Sequence, residues 1–267
     1  MRKRQSSAMV SLLAIPVAQL LCAATLATPV VRAQNKPGQI TVAAAISMKD
    51  ALESLQKKFE ERADAPEVAL SLGASGILEK QIEEGAPVDL FISAAPAQMN
   101  TLERKELLLP GTRRDVAGNR LVLVVPAGST LVKSVDDLKK PEVRTIAIGE
   151  TRAVPAGQYA AEALRNLKLF DELQPKFVFA QNVRAVLAYV ADRDADAGFV
   201  YETDAKISDK VAIATPLPAS SYTPVVYPAA VIRASQNAAG ARAFLDFLAS
   251  PDGRAIFEKF GFTVPAK

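Results

Sequence analysis

Short apolar runs alternate along this chain with stretches in which apolar residues recur every three or four positions. The runs predicted as strands are residues 40–42, 68–70, 90–92, 121–125, 145–148, 177–179, 198–201 and 225–232. Helical spacing lies between them, as in Met48, Leu52, Leu55 and Phe59. This alternation predicts an α/β fold with mostly parallel sheets.

Two of the runs are candidates for strands that cross between lobes. Residues 121–126 form a fully apolar strand closed by a proline, and residues 225–232 form another much later in the chain. If the chain leaves one lobe at the first run and returns at the second, its C-terminal helices rejoin the first lobe. The pattern therefore predicts a discontinuous lobe 1 of residues 34–120 plus 228–267, and a lobe 2 of residues 121–227.

The N-terminal segment has the layout of a secretory signal peptide. Residues 2–4 are basic, residues 8–26 are largely apolar, and Val31 and Ala33 stand at the −3 and −1 positions of a cut before Gln34. We expect residues 1–33 to be removed and the protein to be exported to the periplasm.

Two alternatives exist for this segment. A membrane anchor is disfavoured because Pro16 and Gln19 leave the apolar run short of a span. A lipoprotein would use Cys22, but the preceding Leu21 is bulky where a small residue is expected.

Composition excludes several functional classes. The chain holds 32 basic and 29 acidic residues, but without residues 1–33 it keeps 28 basic residues against 29 acidic ones. A chain so close to neutrality has no basic footprint for nucleic acid. It contains no histidine, and its one cysteine is Cys22. Zinc sites with histidine ligands, Ser-His-Asp hydrolases and, after removal of residues 1–33, thiolate chemistry are excluded.

Four predicted strand–helix turns place small or hydroxyl-bearing residues at helix starts. Ser47 is a predicted N-cap with Asp50 three residues on, Pro155 suits a first helical position, and Asn182 is a predicted cap. Ser75 lies in the turn of residues 73–76. Free N–H groups and the partial positive charge at helix N-termini suit an anion, and the Tyr201 phenol adds a donor.

Each of these residues also has a purely structural interpretation. Ser47 and Asn182 can simply cap helices, Ser75 can serve a tight turn, and Tyr201 can be a half-buried strand residue with its hydroxyl in water. Lys49 and Arg184 lie in first helical turns and are expected on the solvated surface. Spacing alone does not show that the turns converge, although turns of this kind cluster at the C-terminal strand ends of an open α/β sheet.

Several strings resemble a known family over nearly the whole mature chain. They are TVAAAIS at 41–47, GAPVDLFISA at 85–94, VPAGQYA at 154–160 and GFVY at 198–201. With these strings the sequence resembles the periplasmic molybdate-binding proteins of ATP-binding-cassette transporters.

The resemblance implies a fold, a ligand and a site. The implied fold is a two-lobed periplasmic binding protein of type II, with two crossing strands as hinge and the ligand in the cleft. The implied ligand is molybdate, and commonly tungstate, as a bare dianion held by Ser47, Ser75, Ala156, Val183 and Tyr201. Molybdenum is bound only as this oxyanion, with no cofactor and no catalytic residue. The implied partner is a membrane permease, and a monomer is expected.

Two alternative functions remain open from the residues. The protein can bind another small oxyanion such as sulfate. An exported enzyme with Ser47 or Ser75 as nucleophile is less well supported, because the chain has no histidine and no lysine clearly paired with either serine.

Overall fold

The computed structural model describes residues 38–265. The predicted signal peptide and Cys22 lie outside the described residues. The strands are β1 (Gln39–Ala45), β2 (Glu67–Gly73), β3 (Leu90–Ile92), β4 (Arg114–Asn119), β5 (Leu121–Pro126), β6 (Ile146–Gly149), β7 (Phe177–Ala180), β8 (Ala197–Tyr201), β9 (Val211–Pro216) and β10 (Val225–Val231).

The α-helices lie between the strands and after the last one. They are α1 (Lys49–Glu60), α2 (Ser75–Glu83), α3 (Pro96–Arg104), α4 (Pro155–Asn166), α5 (Phe170–Leu173), α6 (Val183–Ala191), α7 (Glu202–Ala205), α8 (Ala238–Leu248) and α9 (Pro251–Lys259). Short 3-10 turns lie at Ile46–Met48, Asp136–Lys139, Gln174–Lys176 and Ala219–Ser221.

The strands form two five-stranded sheets of the same design. The first has the order β2-β1-β3-β10-β4 and the second the order β7-β6-β8-β5-β9. In each sheet four strands share one direction, and the fourth strand in the order, β10 or β5, runs antiparallel to both neighbours. The predicted α/β fold with mostly parallel sheets is confirmed.

The chain passes between the sheets twice. It leaves the first sheet between Asn119 and Leu121, and it returns between Pro216 and Val225. The two runs predicted as crossing strands, β5 and β10, are the first strands formed after each passage, and these are the antiparallel strands. Lobe limits at 120/121 and 227/228 fall at or near these passages, and the division into lobes itself stays a prediction.

Eight of the strands coincide with the predicted apolar runs, whereas β4 and β9 were not predicted. Both occupy the same place in their sheets, at the edge beside the antiparallel strand. β4 begins with Arg114 and Asp115, and most side chains of β9 are exposed or half-buried. An edge strand need not be apolar throughout, so neither produces a continuous apolar run.

The predicted stripe Met48, Leu52, Leu55 and Phe59 is buried, with at most 2% of each residue exposed. Met48 lies in the 3-10 turn that leads into α1, and the other three lie on one face of that helix. Phe59 meets Phe244 of α8 edge to face, with ring centroids 5.0 Å apart. This contact packs α8 against α1.

Helix α4 approaches β6 so closely that a side chain is excluded at the contact. A Cβ atom built on Gly157 would lie 2.0 Å from the carbonyl oxygen of Gly149. The close approach positions the N-terminus of α4, which includes Pro155 and Ala156, directly beyond the end of β6.

We expect Gly157→Ala to lower the free energy of unfolding by about 1–3 kcal/mol, because α4 has to move away from β6 to admit the methyl group. Gly240→Ala is a control at the same third position of a helix, where the three atoms nearest the new Cβ all belong to the side chain of Asn237, from 2.9 Å, and none is a backbone atom. Urea unfolding of both variants measures the difference. Equal losses would contradict the proposed packing constraint.

Candidate functional site

The C-terminal ends of strands from both sheets meet at one small cavity. The first turns of α2, α4 and α6 and the 3-10 turn ahead of α1 contribute to its wall. The lining residues are Ala45, Ile46, Ser47, Gly73, Ala74, Ser75, Ala94, Val154, Pro155, Ala156, Asn182, Val183 and Tyr201. All five residues predicted as ligands are in this set.

Ser47 lines the cavity, but it does not cap a helix. Residues Ile46–Met48 form a 3-10 turn, α1 begins at Lys49, and no side chain caps it. The predicted N-cap and its capping box with Asp50 are therefore wrong. The Ser47 hydroxyl instead lies 3.1 Å from the hydroxyl of Tyr227, and only 3% of Ser47 is exposed.

Ser75 is the first residue of α2 and is fully buried. Its Oγ accepts a hydrogen bond of 3.0 Å from the backbone N–H of Ala94, in the segment that follows β3. Because this bond uses a lone pair, the hydroxyl proton of Ser75 remains available for another acceptor.

The second sheet contributes the starts of α4 and α6. Pro155 occupies the first turn of α4, and Asn182 caps α6 by accepting a 2.9 Å hydrogen bond from Ala185 N–H, so both predictions are confirmed. The first N–H groups of an α-helix have no acceptor within the helix. Ala156 and Val183 thus bring backbone donors to the cavity wall.

Tyr201, at the end of β8, is buried together with its hydroxyl. Only 1% of the residue is exposed, and the hydroxyl has no hydrogen-bond partner among the described residues. Burial, followed by the neighbouring Tyr227, raises its pKa well above the ordinary value, so it remains a donor. The interpretation of Tyr201 as a half-buried residue with its hydroxyl in water is therefore wrong.

The cavity wall carries no charged residue among positions 38–265, although a cation lies close by. Arg184 was expected on the solvated surface, but its Nε donates to Asp204 and its terminal nitrogen donates to Asp50, each at 2.6 Å. Only 18% of its side chain is exposed. Lys49, by contrast, is exposed beside Glu53, as expected.

The Arg184 group combines elements of both sheets. Asp50 lies in α1, which follows the first sheet's β1, whereas Arg184 and Asp204 lie in α6 and α7, which follow strands of the second sheet. Asp204 is fully buried and its Oδ2 has no partner in the described part of the chain. Burial raises its pKa to about 7, although Arg184 acts in the opposite direction.

A segment after a strand of the first sheet also touches a segment after a strand of the second sheet, at the edge of the cavity. The backbone N–H of Gly76 donates to the carbonyl of Ala153 at 2.9 Å, and the side chains of Gln98 and Gln158 meet at 3.3 Å. A Cβ atom on Gly76 would lie 2.7 Å from both Cα and O of Ala153. Glycine is therefore required at position 76 for this approach.

Residues 38–265 contain no group of three or more acidic, histidine or cysteine side chains arranged to hold a metal ion. Over the same range, no helix has both the length and the apolar character that a membrane crossing requires.

Sequence and structure comparisons identify relatives that cover most of this chain. A family model described as bacterial extracellular solute-binding protein matches residues 40–263. The molybdate-binding protein ModA of Haemophilus influenzae is 39% identical over 230 residues, which is 84% of this chain and 90% of that protein. The molybdate-binding protein ModA of Escherichia coli is 38% identical over 232 residues, which is 85% of this chain and 90% of that protein.

Among solved structures, the periplasmic molybdate-binding protein of Azotobacter vinelandii superposes with a TM-score of 0.76. It is 28% identical to this chain, and the match covers 85% of this chain and 100% of that one.

The raised pKa of Asp204 predicts that the free energy of unfolding falls as the pH rises from about 4 to about 7. Its pKa of about 7 in the folded protein exceeds the ordinary 3.8, so the folded state retains a proton that the unfolded state has already released. Loss of this proton removes up to about 4 kcal/mol of stability. We expect Asp204→Asn to abolish this slope in urea unfolding between about pH 4 and pH 8.

The exposed Asp192→Asn is the control for simple removal of a negative charge, since 61% of its side chain is accessible. A wild-type stability that rises with pH relative to Asp204→Asn would show that the Asp204 carboxyl is ionised throughout.

Proposed function

Since the chain belongs to the bacterial extracellular solute-binding proteins, and two relatives at 38–39% identity are named molybdate-binding proteins, we propose that it captures molybdate and tungstate for an ATP-binding-cassette permease. The anion binds as a bare dianion in the cavity between the two sheets. One observation carries the proposal: donors from both sheets line a cavity whose wall, within the described chain, holds no charged residue.

The donors proposed to bind the anion are of two kinds. Ser47 and Ser75 contribute hydroxyl and backbone groups and Tyr201 its hydroxyl, while Ala156 and Val183 contribute backbone N–H groups. The positive ends of α2, α4 and α6 add partial charge without a counter-ion. Hydrogen bonds to a charged group contribute roughly 1.5–3 kcal/mol each. Six or seven such bonds offset the desolvation of the dianion and its lost freedom, and the expected binding free energy is about −8 kcal/mol or better, which reaches sub-micromolar affinity.

Selectivity follows from the donors and their spacing. An oxyanion that carries a proton brings its own O–H donor into a ring of donors. That O–H and the protein donor facing it are then both left without an acceptor. Sulfate has the same charge as molybdate but is smaller, so it does not reach all the donors of a rigid cavity together. Molybdenum is bound only as the oxyanion through these same residues, as transported cargo and not as a resident cofactor.

The two passages between the sheets suit a hinge. We propose that lobes built on the two sheets close about the segments 119–121 and 216–225, and that the contact of Gly76 with Ala153 belongs to the closed state. The closed protein delivers the anion to the permease as a periplasmic monomer after removal of residues 1–33. No chemical conversion of the anion is proposed.

Isothermal titration of anion-free protein tests the proposed ligand. We expect one-to-one, sub-micromolar binding of molybdate and tungstate, with sulfate and phosphate silent, because only the larger dianions engage all donors. Binding of sulfate alone would assign the protein to a different transporter, and silence from all four anions would overturn the proposed function.

Tyr201→Phe tests whether the buried phenol is a ligand donor. We expect the affinity for molybdate to fall about tenfold to a hundredfold, because one hydrogen bond to a charged group is lost. The ligand-free variant should be at least as stable as the wild type, because the removed hydroxyl has no partner in the described structure. Titration and urea unfolding measure the two effects.

Tyr189→Phe, a half-buried tyrosine of α6 outside the cavity wall, is the matched control and should change neither value. An unchanged affinity of Tyr201→Phe would remove this residue from the proposed ligand set.

A further inference from the structure

A series of buried polar side chains, linked by hydrogen bonds, leads from Asn119 to Ser47. Asn119 ends β4, is only 8% exposed, and accepts a 2.9 Å hydrogen bond at Oδ1 from the backbone N–H of Arg120. Because a backbone N–H can only donate, the amide oxygen is identified and the amide nitrogen faces the other way. That nitrogen donates to Thr203 Oγ1 at 2.9 Å and to Tyr227 Oη at 3.2 Å.

Tyr227 is the next residue in this series. It lies in β10, is completely buried, and packs its ring edge to face against Tyr201 and Phe262. Burial is the main cause that raises its pKa well above the ordinary value, so the phenol keeps its proton. Since its oxygen accepts from Asn119, that proton is directed to the hydroxyl oxygen of Ser47, 3.1 Å away.

The opposite direction between Ser47 and Tyr227 is costly. If Ser47 donated to Tyr227, the phenol oxygen would receive two donors and its own buried proton would lose its acceptor. A buried polar group left without a partner is strongly disfavoured. Ser47 therefore accepts from Tyr227, and its own proton stays free for the cavity that Ser47 lines.

We propose that Asn119 and Tyr227 are specificity-determining residues, which hold the Ser47 hydroxyl as a donor to the anion through the relay Asn119 to Tyr227 to Ser47. The inference rests on the proposed function and deepens it. A bare dianion accepts from Ser47, whereas hydrogen phosphate needs an acceptor for its own O–H. A Ser47 that donated to Tyr227 would turn only lone pairs to the cavity and so accommodate that group.

Two substitutions change the relay in different ways. Tyr227→Phe removes the phenol oxygen and leaves the Ser47 hydroxyl free to turn either way. Asn119→Asp replaces the amide donor with a carboxylate that accepts from Tyr227, so the phenol in turn accepts from Ser47 and the relay is reversed. Tyr222→Phe is the matched control: this buried tyrosine accepts a 3.1 Å hydrogen bond from Leu121 N–H at the first passage and has no hydrogen bond to Ser47.

The test is the ratio of the affinities for molybdate and hydrogen phosphate at about pH 8, where phosphate carries nearly two charges. Because the two ligands then carry nearly the same charge, the extra carboxylate of Asn119→Asp weakens the binding of both to the same extent. A change in the ratio of their affinities therefore reports the orientation of the relay. Molybdate binding is titrated directly, and phosphate is measured by its competition against molybdate. Thermal unfolding of each variant confirms that it folds.

We expect Tyr227→Phe to lower molybdate affinity about twofold to tenfold, in line with loss of one neutral hydrogen bond, and to narrow the ratio. Asn119→Asp should make phosphate competition measurable and bring the ratio of molybdate to phosphate affinity at least about tenfold below the lower limit set by the wild type, whereas Tyr222→Phe should leave phosphate silent, as in the wild type. If Tyr227→Phe does not fold, Asn119→Asp carries the test.

Phosphate that stays silent in the relay variants, or a ratio that narrows equally in Tyr222→Phe, would overturn the relay while leaving the proposed function intact. A wild-type protein that does not bind molybdate would overturn the proposed function itself.

Discussion

The meeting of helix N-termini from two separate sheets at one small cavity is the constraint on which the rest of the structure depends. Each sheet directs the ends of its parallel strands to the cavity, so the helices that follow begin there. Such a meeting needs close approach, and small residues provide it. Gly157 permits α4 to pack on β6, and Gly76 permits α2, which follows the first sheet's β2, to touch Ala153, which follows the second sheet's β6. Larger residues at either position would separate the donors that the site needs together.

Charge near the cavity is compensated within the protein, so the cavity wall itself presents hydrogen-bonding groups and no charged side chain among the described residues. Arg184 follows directly after a cavity residue, yet Asp50 and Asp204 take its hydrogen bonds. What remains at the wall are hydroxyls, backbone N–H groups and helix ends. Two buried oxygens nearby, Tyr201 Oη and Asp204 Oδ2, lack partners among the described residues. Unsatisfied groups of this kind reduce stability, and they concentrate where function sets the sequence.

Local signals in the sequence predicted local structure well. Eight apolar runs are strands, Asn182 caps α6, and Pro155 lies in the first turn of α4, because each depends on neighbours within a few residues. The edge strands β4 and β9 were missed because edge positions do not require continuous apolar character. The strand–helix turns were marked as anion-capable from the sequence, but the set of five proposed ligands was reached through family resemblance, since spacing does not reveal which turns converge.

Predictions failed where a partner lies far away in the chain. Ser47 is of a residue type that often caps helices, but its hydroxyl is hydrogen-bonded to Tyr227, 180 positions later. Arg184 was assigned to the surface because Asp50 is 134 positions away. Asn119 was not singled out at all, since its partner Tyr227 is 108 positions distant.

The location of the relay connects the proposed selectivity with the proposed closure. Asn119 is the last residue of β4 before the first passage between the sheets, and Tyr227 lies shortly after the second. The same amide nitrogen that donates to Tyr227 also donates to Thr203 of α7, in the half that follows the second sheet. A rotation of the halves that displaced Thr203 would free one amide proton and loosen the orientation of Asn119. The Ser47 hydroxyl is therefore held most firmly as a donor when the halves are in the arrangement seen here, so closure and the choice of anion reinforce each other.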